Sequence, residues 1–80
     1  MTGSTSAEYA SALAAELRAE RARIKKSIAH VVEDTGLSKS AVLNYLNGKR
    51  DIPLTALAKL CAALDITPPE LAKRAEAQLN

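Results

Sequence analysis

Side chains suited to contacting a polyanion are concentrated between residues 36 and 50. Lys39, Ser40 and Asn44 are followed closely by the polar run 47–50, and no Asp or Glu occurs in this stretch. Lysine, serine and asparagine can hydrogen-bond to base edges and to phosphate oxygens. Because carboxylates are absent, nothing in the stretch repels a phosphate backbone. The chemistry indicated here is recognition of nucleic acid.

The charge of the chain follows the same pattern. Residues 18–50 contain eight Lys and Arg against three acidic residues, a local charge of +5, whereas residues 1–17 carry −2 and residues 51–80 carry −1. The net charge of +2 therefore hides a basic middle segment.

The elements that must position these side chains are helices. The 80 residues are 48% hydrophobic, 25% charged and 2% aromatic, with only three glycines, which favours one compact all-α domain over a β-sheet fold. We expect residues 1–6 to be disordered and residues 7–80 to form a single five-helix domain. The helices are predicted from about Ala7 to Arg23, from Ser27 through Asp34, from Lys39 to Asn47, from near Pro53 through Leu64, and from Pro68 to about Gln78.

Hydroxyl caps and glycines mark the helix boundaries. Ser27 and Ser38 are predicted N-caps of the second and third helices, and Gly36 is predicted to end the second helix in a left-handed conformation. A further capping box, Thr67 to Glu70 with Pro68 at the first helical position, opens the fifth helix. The turn Thr35-Gly36-Leu37-Ser38 between two short helices is typical of a helix-turn-helix, whose second helix can enter the DNA major groove.

The apolar spacing predicts which residues are buried. We expect Val42 and Leu46 to face inward on the third helix and Tyr45 to lie outside that stripe. On the fourth helix the inward face is predicted to hold Leu54, Leu57, Ala58, Cys61 and Leu64. Leu60, Leu79 and Ile52 fall outside the predicted core, and isolated exposed residues of this kind are common.

The segment from Leu17 to Leu71 resembles the Cro/phage-repressor helix-turn-helix family, also called the xenobiotic-response-element type. The resemblance is carried by Thr35-Gly36-Leu37-Ser38-Lys39-Ser40-Ala41-Val42, by Tyr45-Leu46-Asn47-Gly48-Lys49-Arg50-Asp51-Ile52-Pro53, by Leu57-Ala58-Lys59-Leu60 and by Leu64-Asp65-Ile66-Thr67-Pro68-Pro69-Glu70-Leu71. It implies a lambda-repressor-like, five-helix domain that binds a double-stranded DNA operator, usually as a homodimer, and regulates transcription. In this family, residues placed like Leu60, Leu79 and Ile52 often lie in the dimer interface, which is the alternative to their being isolated exposed residues.

The resemblance also implies roles for individual residues. The residues implied to face bases are Lys39, Ser40, Ala41 and Asn44, and those implied to contact phosphates are Ser27, Asn47 and Lys49. Two neighbouring cations, Arg50 and Lys26, are predicted to contact phosphates as well. The implied function is a sequence-specific repressor on a palindromic operator, such as a bacteriophage immunity repressor or a small bacterial transcriptional regulator.

Two positions depart from the family pattern. Ile28 stands where the family usually has a glutamine that clamps the DNA backbone, so it is expected to pack inward or to meet a partner. Leu46 stands where many relatives have a Glu that pairs with an arginine of the first helix, here Arg21, which would leave Arg21 free to reach outward. Ile28 slightly favours the alternative function, an antitoxin- or adaptor-type module that uses this fold mainly to bind a protein.

Other classes of function lack their residues. One cysteine, Cys61, and one histidine, His30, provide no zinc-ligand spacing, so we expect no metal and no cofactor. The sequence contains no paired carboxylates, nucleophile–base pair or phosphate-binding glycine loop, and we expect no enzyme activity. With no apolar run of membrane-spanning length and no signal peptide, the expected location is the cytoplasm, in association with the nucleoid.

Overall fold

A computed structural model describes residues 6–79 of the chain as a bundle of helices. The five helices found in this range are α1 (Ser6–Ile24), α2 (Ile28–Thr35), α3 (Lys39–Leu46), α4 (Leu54–Ala63) and α5 (Pro68–Gln78). The predicted all-α class is confirmed, and the predicted boundaries differ from these by at most one residue. Ser6, predicted to be disordered, belongs to α1, whereas the rest of that prediction (residues 1–5) and Asn80 lie outside the described residues.

Three helices begin at the hydroxyl residues that the sequence predicts. The side-chain oxygens of Ser27, Ser38 and Thr67 accept hydrogen bonds from the backbone N–H three residues later, at 3.1, 3.1 and 3.2 Å. All three caps have extended backbone angles. Each oxygen thereby satisfies an N–H that has no partner within its helix.

Four helices are followed, within two residues of their last residue, by a residue in the left-handed conformation. Gly36, Gly48, Lys25 and Asp65 have φ angles of 72°, 72°, 58° and 60°. After α1, α3 and α4 the next two N–H groups bond back to carbonyls of the last turn, as in the Schellman motif, for example from Lys26 to Arg21 at 3.2 Å. The glycines adopt this conformation without strain, whereas Lys25 and Asp65 adopt it at a cost.

One hydrophobic core holds the helices together. Helix α1 packs on α3 and α5, α2 packs on α3 and α4, and α4 packs on α5. The side chains that are completely or almost completely buried come from every helix and include Leu17, Val31, Val42, Leu60, Leu64 and Leu71. The molecule measures 38 × 22 × 18 Å along its principal axes.

The core of α4 differs from the prediction. Leu60, placed outside the core from its spacing, is fully buried, whereas Leu54 is 82% exposed and Ala58 is also exposed. The buried residues of α4 are Ala56, Leu60, Cys61 and Ala63. The predicted burial of Cys61 and Leu64 is confirmed, and Leu57 packs against the core. The prediction was wrong for Leu54, Ala58 and Leu60 because α4 is apolar on several sides, and the face that is buried is selected by α2 and α5.

Tyr45 and Ile52 are also corrections. Tyr45, predicted to lie outside the α3 stripe, is 7% exposed and belongs to the core. Ile52 is half-buried and packs against the core.

Burial raises the pKa of the Cys61 thiol above its ordinary value, since a thiolate would be poorly solvated there.

No helix within residues 6–79 is long and apolar enough to cross a lipid bilayer.

Candidate nucleic-acid interface

The turn between α2 and α3 is fixed by the buried hydroxyl of Thr35. Its Oγ1 donates to the carbonyl of Val31 at 2.7 Å and accepts from the N–H of Leu37 at 3.2 Å. Gly36 follows with a left-handed φ, and its N–H donates to the carbonyl of Val32 at 2.9 Å. The orientation of α3 relative to α2 is therefore determined by internal bonds of the turn and by the Ser38 cap.

Helix α3 has a buried face and a polar face. Val42, Tyr45 and Leu46 are buried, whereas Lys39 and Ser40 are exposed. The remaining predicted base contacts, Ala41 and Asn44, are half-buried, and Ala41 packs against the core. The structure thus brings Lys39, Ser40 and Asn44 to the part of α3 that is not committed to the core.

The loop after α3 presents three polar side chains predicted to contact phosphates. Asn47, Lys49 and Arg50 are exposed, and Gly48 allows the chain to reverse direction, with Lys49 N–H bonded to the carbonyl of Asn44 at 2.9 Å. The Arg50 guanidinium lies 5.8 Å from the centroid of the Tyr45 ring. This distance is within cation–π range, so the buried tyrosine positions Arg50 beside α3.

Ser27 lies at the start of α2 and is exposed. Because its oxygen accepts from the N–H of His30 at 3.1 Å, its own O–H remains able to donate. A phosphate oxygen can accept that proton, so the capping role and the predicted phosphate contact are compatible.

Cations near the end of α1 bind helix carbonyls, which the sequence did not indicate. Arg18 Nη1 donates to the carbonyl of Leu46 at 2.6 Å, Arg21 Nη1 to that of Lys26 at 2.8 Å, and Lys26 Nζ to that of Ala63 at 2.6 Å. These carbonyls lie at or just beyond helix C-termini, where cations are favourable.

Lys26 has a second internal partner. Its ammonium also forms an ion pair with Asp34 of α2, and its side chain is only 23% exposed. To contact a phosphate, Lys26 would have to leave two acceptors that already satisfy it. Lys49, by contrast, makes no side-chain hydrogen bond or ion pair among residues 6–79.

The buried carboxylate of Glu20 is a further feature that the sequence did not reveal. Its side chain is 2% exposed, and it pairs with Arg23 on α1 and with Arg74 of α5, the latter at 2.7 Å. The hydrogen bond from Arg23 has the largest effect on the pKa of Glu20 and lowers it. Burial raises this pKa, and the hydrogen bond from Arg74 lowers it again, so the pKa of Glu20 lies below its ordinary value. Arg74 also bonds to Glu70 at 3.0 Å, so the cluster fastens α1 to α5.

Comparison with known families decides the classification. A family model described as a helix-turn-helix domain matches residues 12–74, which include the turn, α3 and all of the core helices except the ends of α1 and α5. The chain belongs to the helix-turn-helix domain family. Searches of curated proteins and of solved structures gave no significant match.

Within this helix-turn-helix domain, the two departures from the family pattern have structural explanations. Ile28 is half-buried and packs against the core, so it packs inward. The expectation that Arg21 is free was wrong, since it bonds to the carbonyl of Lys26. The link between α1 and the end of α3 is made instead by Arg18, which donates to the backbone carbonyl of Leu46. Because the acceptor is a backbone group, this link needs no charged side chain at position 46.

Proposed function

We propose that this helix-turn-helix domain is a sequence-specific DNA-binding transcriptional regulator that acts as a repressor. The observation that carries the proposal is the polar, acid-free surface that starts at α3 and continues into the loop at 47–50. In this proposal α3 lies in the major groove, and two copies occupy a palindromic operator with their α3 helices roughly 34 Å apart. Occupation of promoter DNA then blocks transcription.

Base recognition is assigned to α3. Lys39 is a donor suited to the acceptors of guanine, and Asn44 can form a bidentate pair with adenine. Ser40 can donate to or accept from either, and Ala41 offers a methyl group for contact with thymine. The buried face of α3 and the Thr35 turn support these side chains because they hold the helix in one orientation.

Phosphate contact is assigned to Ser27, Asn47, Lys49 and Arg50. All four are exposed, and they lie at the start of α2 and just beyond the end of α3, on either side of the reading helix in sequence. We leave Lys26 out of this set, because its ammonium already binds the Ala63 carbonyl and Asp34. Such contacts determine the register of the protein on the duplex.

Salt dependence tests this division of the cations. Lys49→Ala is expected to weaken binding to all sequences alike and to flatten the slope of log Kobs against log salt by about one unit, since one fewer counterion is released. Lys26→Ala is expected to leave the slope unchanged and to lower the melting temperature. The measurement is fluorescence anisotropy of a labelled duplex between low and moderate salt.

Lys73→Ala is the matched control, because Lys73 is exposed on α5, outside the proposed interface. Equal slopes for wild type, Lys49→Ala and Lys73→Ala would contradict the phosphate role of Lys49. A flatter slope of log Kobs against log salt for Lys26→Ala than for wild type would show that Lys26 also contacts phosphate.

A further inference from the structure

A charged side chain of α1 completes the C-terminus of α3. The last four carbonyls of a helix have no partner within that helix, and three of those in α3 accept from backbone N–H groups of residues 47–49. The fourth carbonyl, that of Leu46, accepts from Arg18 Nη1 at 2.6 Å. This hydrogen bond joins residues that are 28 positions apart in the chain. The end of α3 is therefore closed partly by its own loop and partly by another helix.

The end of α4 has the same arrangement. Backbone N–H groups of residues 64–66 bond to three of its last four carbonyls, and the fourth, that of Ala63, accepts from Lys26 Nζ at 2.6 Å. Cations at these positions also interact favourably with the helix dipole. Two helices thus end on a cation, with Arg18 serving α3 and Lys26 serving α4.

The two ends of α3 are held in different ways. The N-terminal end is fixed by neighbours in sequence, since the Thr35 hydroxyl and the Ser38 cap bond to groups within four residues. At the C-terminal end, Arg18 ties the helix to α1, which also packs on α3. Because α3 has only eight residues, a change at one end alters the position of the whole helix.

We propose that Arg18 is a positioning residue for DNA recognition, an inference that rests on the proposed function. The side chains assigned to base contact, Lys39, Ser40 and Asn44, are all on α3, and the loop that carries Lys49 bonds to the same helix end. Without the hydrogen bond from Arg18, the last turn of α3 opens more often, and these side chains meet the bases in more than one geometry. Arg18 acts through α3 and contacts neither base nor phosphate.

Arg18→Met tests the proposal, because methionine keeps an unbranched side chain and removes every donor. Arg18 is exposed and lies outside the hydrophobic core, so the variant retains the fold. Lys26→Met is the matched control, since it removes the corresponding cation from the end of α4.

Amide hydrogen exchange without DNA reports on the two helix ends separately. We expect Arg18→Met to speed the exchange of amides 47–49 by roughly threefold to tenfold, as the loss of one hydrogen bond from a charged donor should. Lys26→Met is expected to speed the exchange of amides 64–66 instead and to leave amides 47–49 close to wild type.

The second measurement is discrimination between DNA sequences. The probes are a duplex that wild type selects from a random pool and a duplex of random sequence, at one salt concentration. Arg18→Met is expected to lower the ratio of the two affinities roughly fivefold, comparable to one mismatched base pair. Lys26→Met should leave this ratio unchanged while lowering the melting temperature, because loss of stability alone weakens binding to both duplexes alike.

Arg18→Lys should restore most of both readouts. A lysine ammonium already caps the Ala63 carbonyl in this fold, so a single charged donor is sufficient for such a bond.

Three results would overturn the proposal. Unchanged exchange of amides 47–49 in Arg18→Met would show that the hydrogen bond does not hold the end of α3. Faster exchange with an unchanged affinity ratio would show that this end does not affect base recognition. A slope of log Kobs against log salt that is flatter by about one unit, with an unchanged affinity ratio, would assign Arg18 to phosphate contact instead.

Failure of the proposed function gives a different result. Wild type would then select no duplex, whereas the exchange experiment uses no DNA and still decides whether Arg18 holds the end of α3.

Discussion

Individual cations of this domain have two different tasks. Arg18, Arg21 and Lys26 bind backbone carbonyls at helix ends, whereas Lys39 and Lys49 extend from the polar side of the helix-turn-helix. A count of basic residues in the sequence does not distinguish cations bound to carbonyls from cations that are free to contact phosphate. The local charge of +5 therefore exceeds the number of cations available for phosphate contact.

Lys39 is the residue whose substitution separates base recognition from phosphate attraction. Lys39→Ala is expected to cost roughly 1–3 kcal/mol of operator binding and to relax the preference at one base position, because one donor to a base edge is lost. The measurement is the dissociation constant on operator and on random DNA at one salt concentration. Equal losses on both DNAs would show that Lys39 contacts phosphate only.

At the scale of the element, the helix boundaries were largely predictable from the sequence. Ser27, Ser38 and Thr67 cap helices as expected, since a hydroxyl cap acts within three residues of its partner. The burial of Leu60 in place of Leu54 on α4 and the burial of Glu20 were not predictable. The first depends on which neighbours pack on an apolar helix, and the second on Arg74, 54 residues away in the chain.

The exposure of the residues proposed to contact DNA was predictable in the same way, and with the same limit. Lys39, Ser40, Asn47 and Lys49 are exposed as a DNA-contacting surface requires, and their polarity is visible in the sequence. The internal partners of Lys26 lie on α2 and at the last residue of α4, which no local pattern indicates.

The left-handed residue after α1 gives a prediction for stability. Lys25→Gly is expected to raise the free energy of unfolding by up to about 1 kcal/mol, since glycine removes the steric cost of φ = 58° and loses part of that gain to its more flexible unfolded state. Chemical denaturation of wild type and variant gives the difference.

The reverse change, Gly36→Ala, serves as the comparison. Gly36 has φ = 72° with open space around the position of a Cβ, so the variant should lose roughly 1 kcal/mol through backbone strain alone. A destabilised Lys25→Gly would indicate that the Lys25 side chain stabilises the fold in a way that outweighs its backbone strain.

For the whole molecule, the Glu20 cluster makes stability depend on pH. The pKa of Glu20 is lowered in the folded state from its ordinary value of 4.5, so the folded protein favours the carboxylate. The resulting stability is fully present above about pH 4.5 and is lost as the pH falls toward the lower folded-state pKa. Glu20→Gln should be less stable than wild type at neutral pH, with a gap that narrows in acid.

Thermal unfolding of both proteins between about pH 7 and pH 3 measures this gap. Other carboxylates titrate in both proteins, so only the difference between the two melting temperatures reports on Glu20. A gap that stays constant across this range would contradict the lowered pKa.

The central claim, that two copies of α3 read a DNA sequence, is tested most directly by selection from a random pool of duplexes followed by sequencing. The account predicts an enriched palindrome whose half-sites are about one helical turn apart, and loss of preference at one base of each half-site for Lys39→Ala. Salt-sensitive binding without an enriched sequence, or no binding, would contradict it and favour the protein-binding alternative.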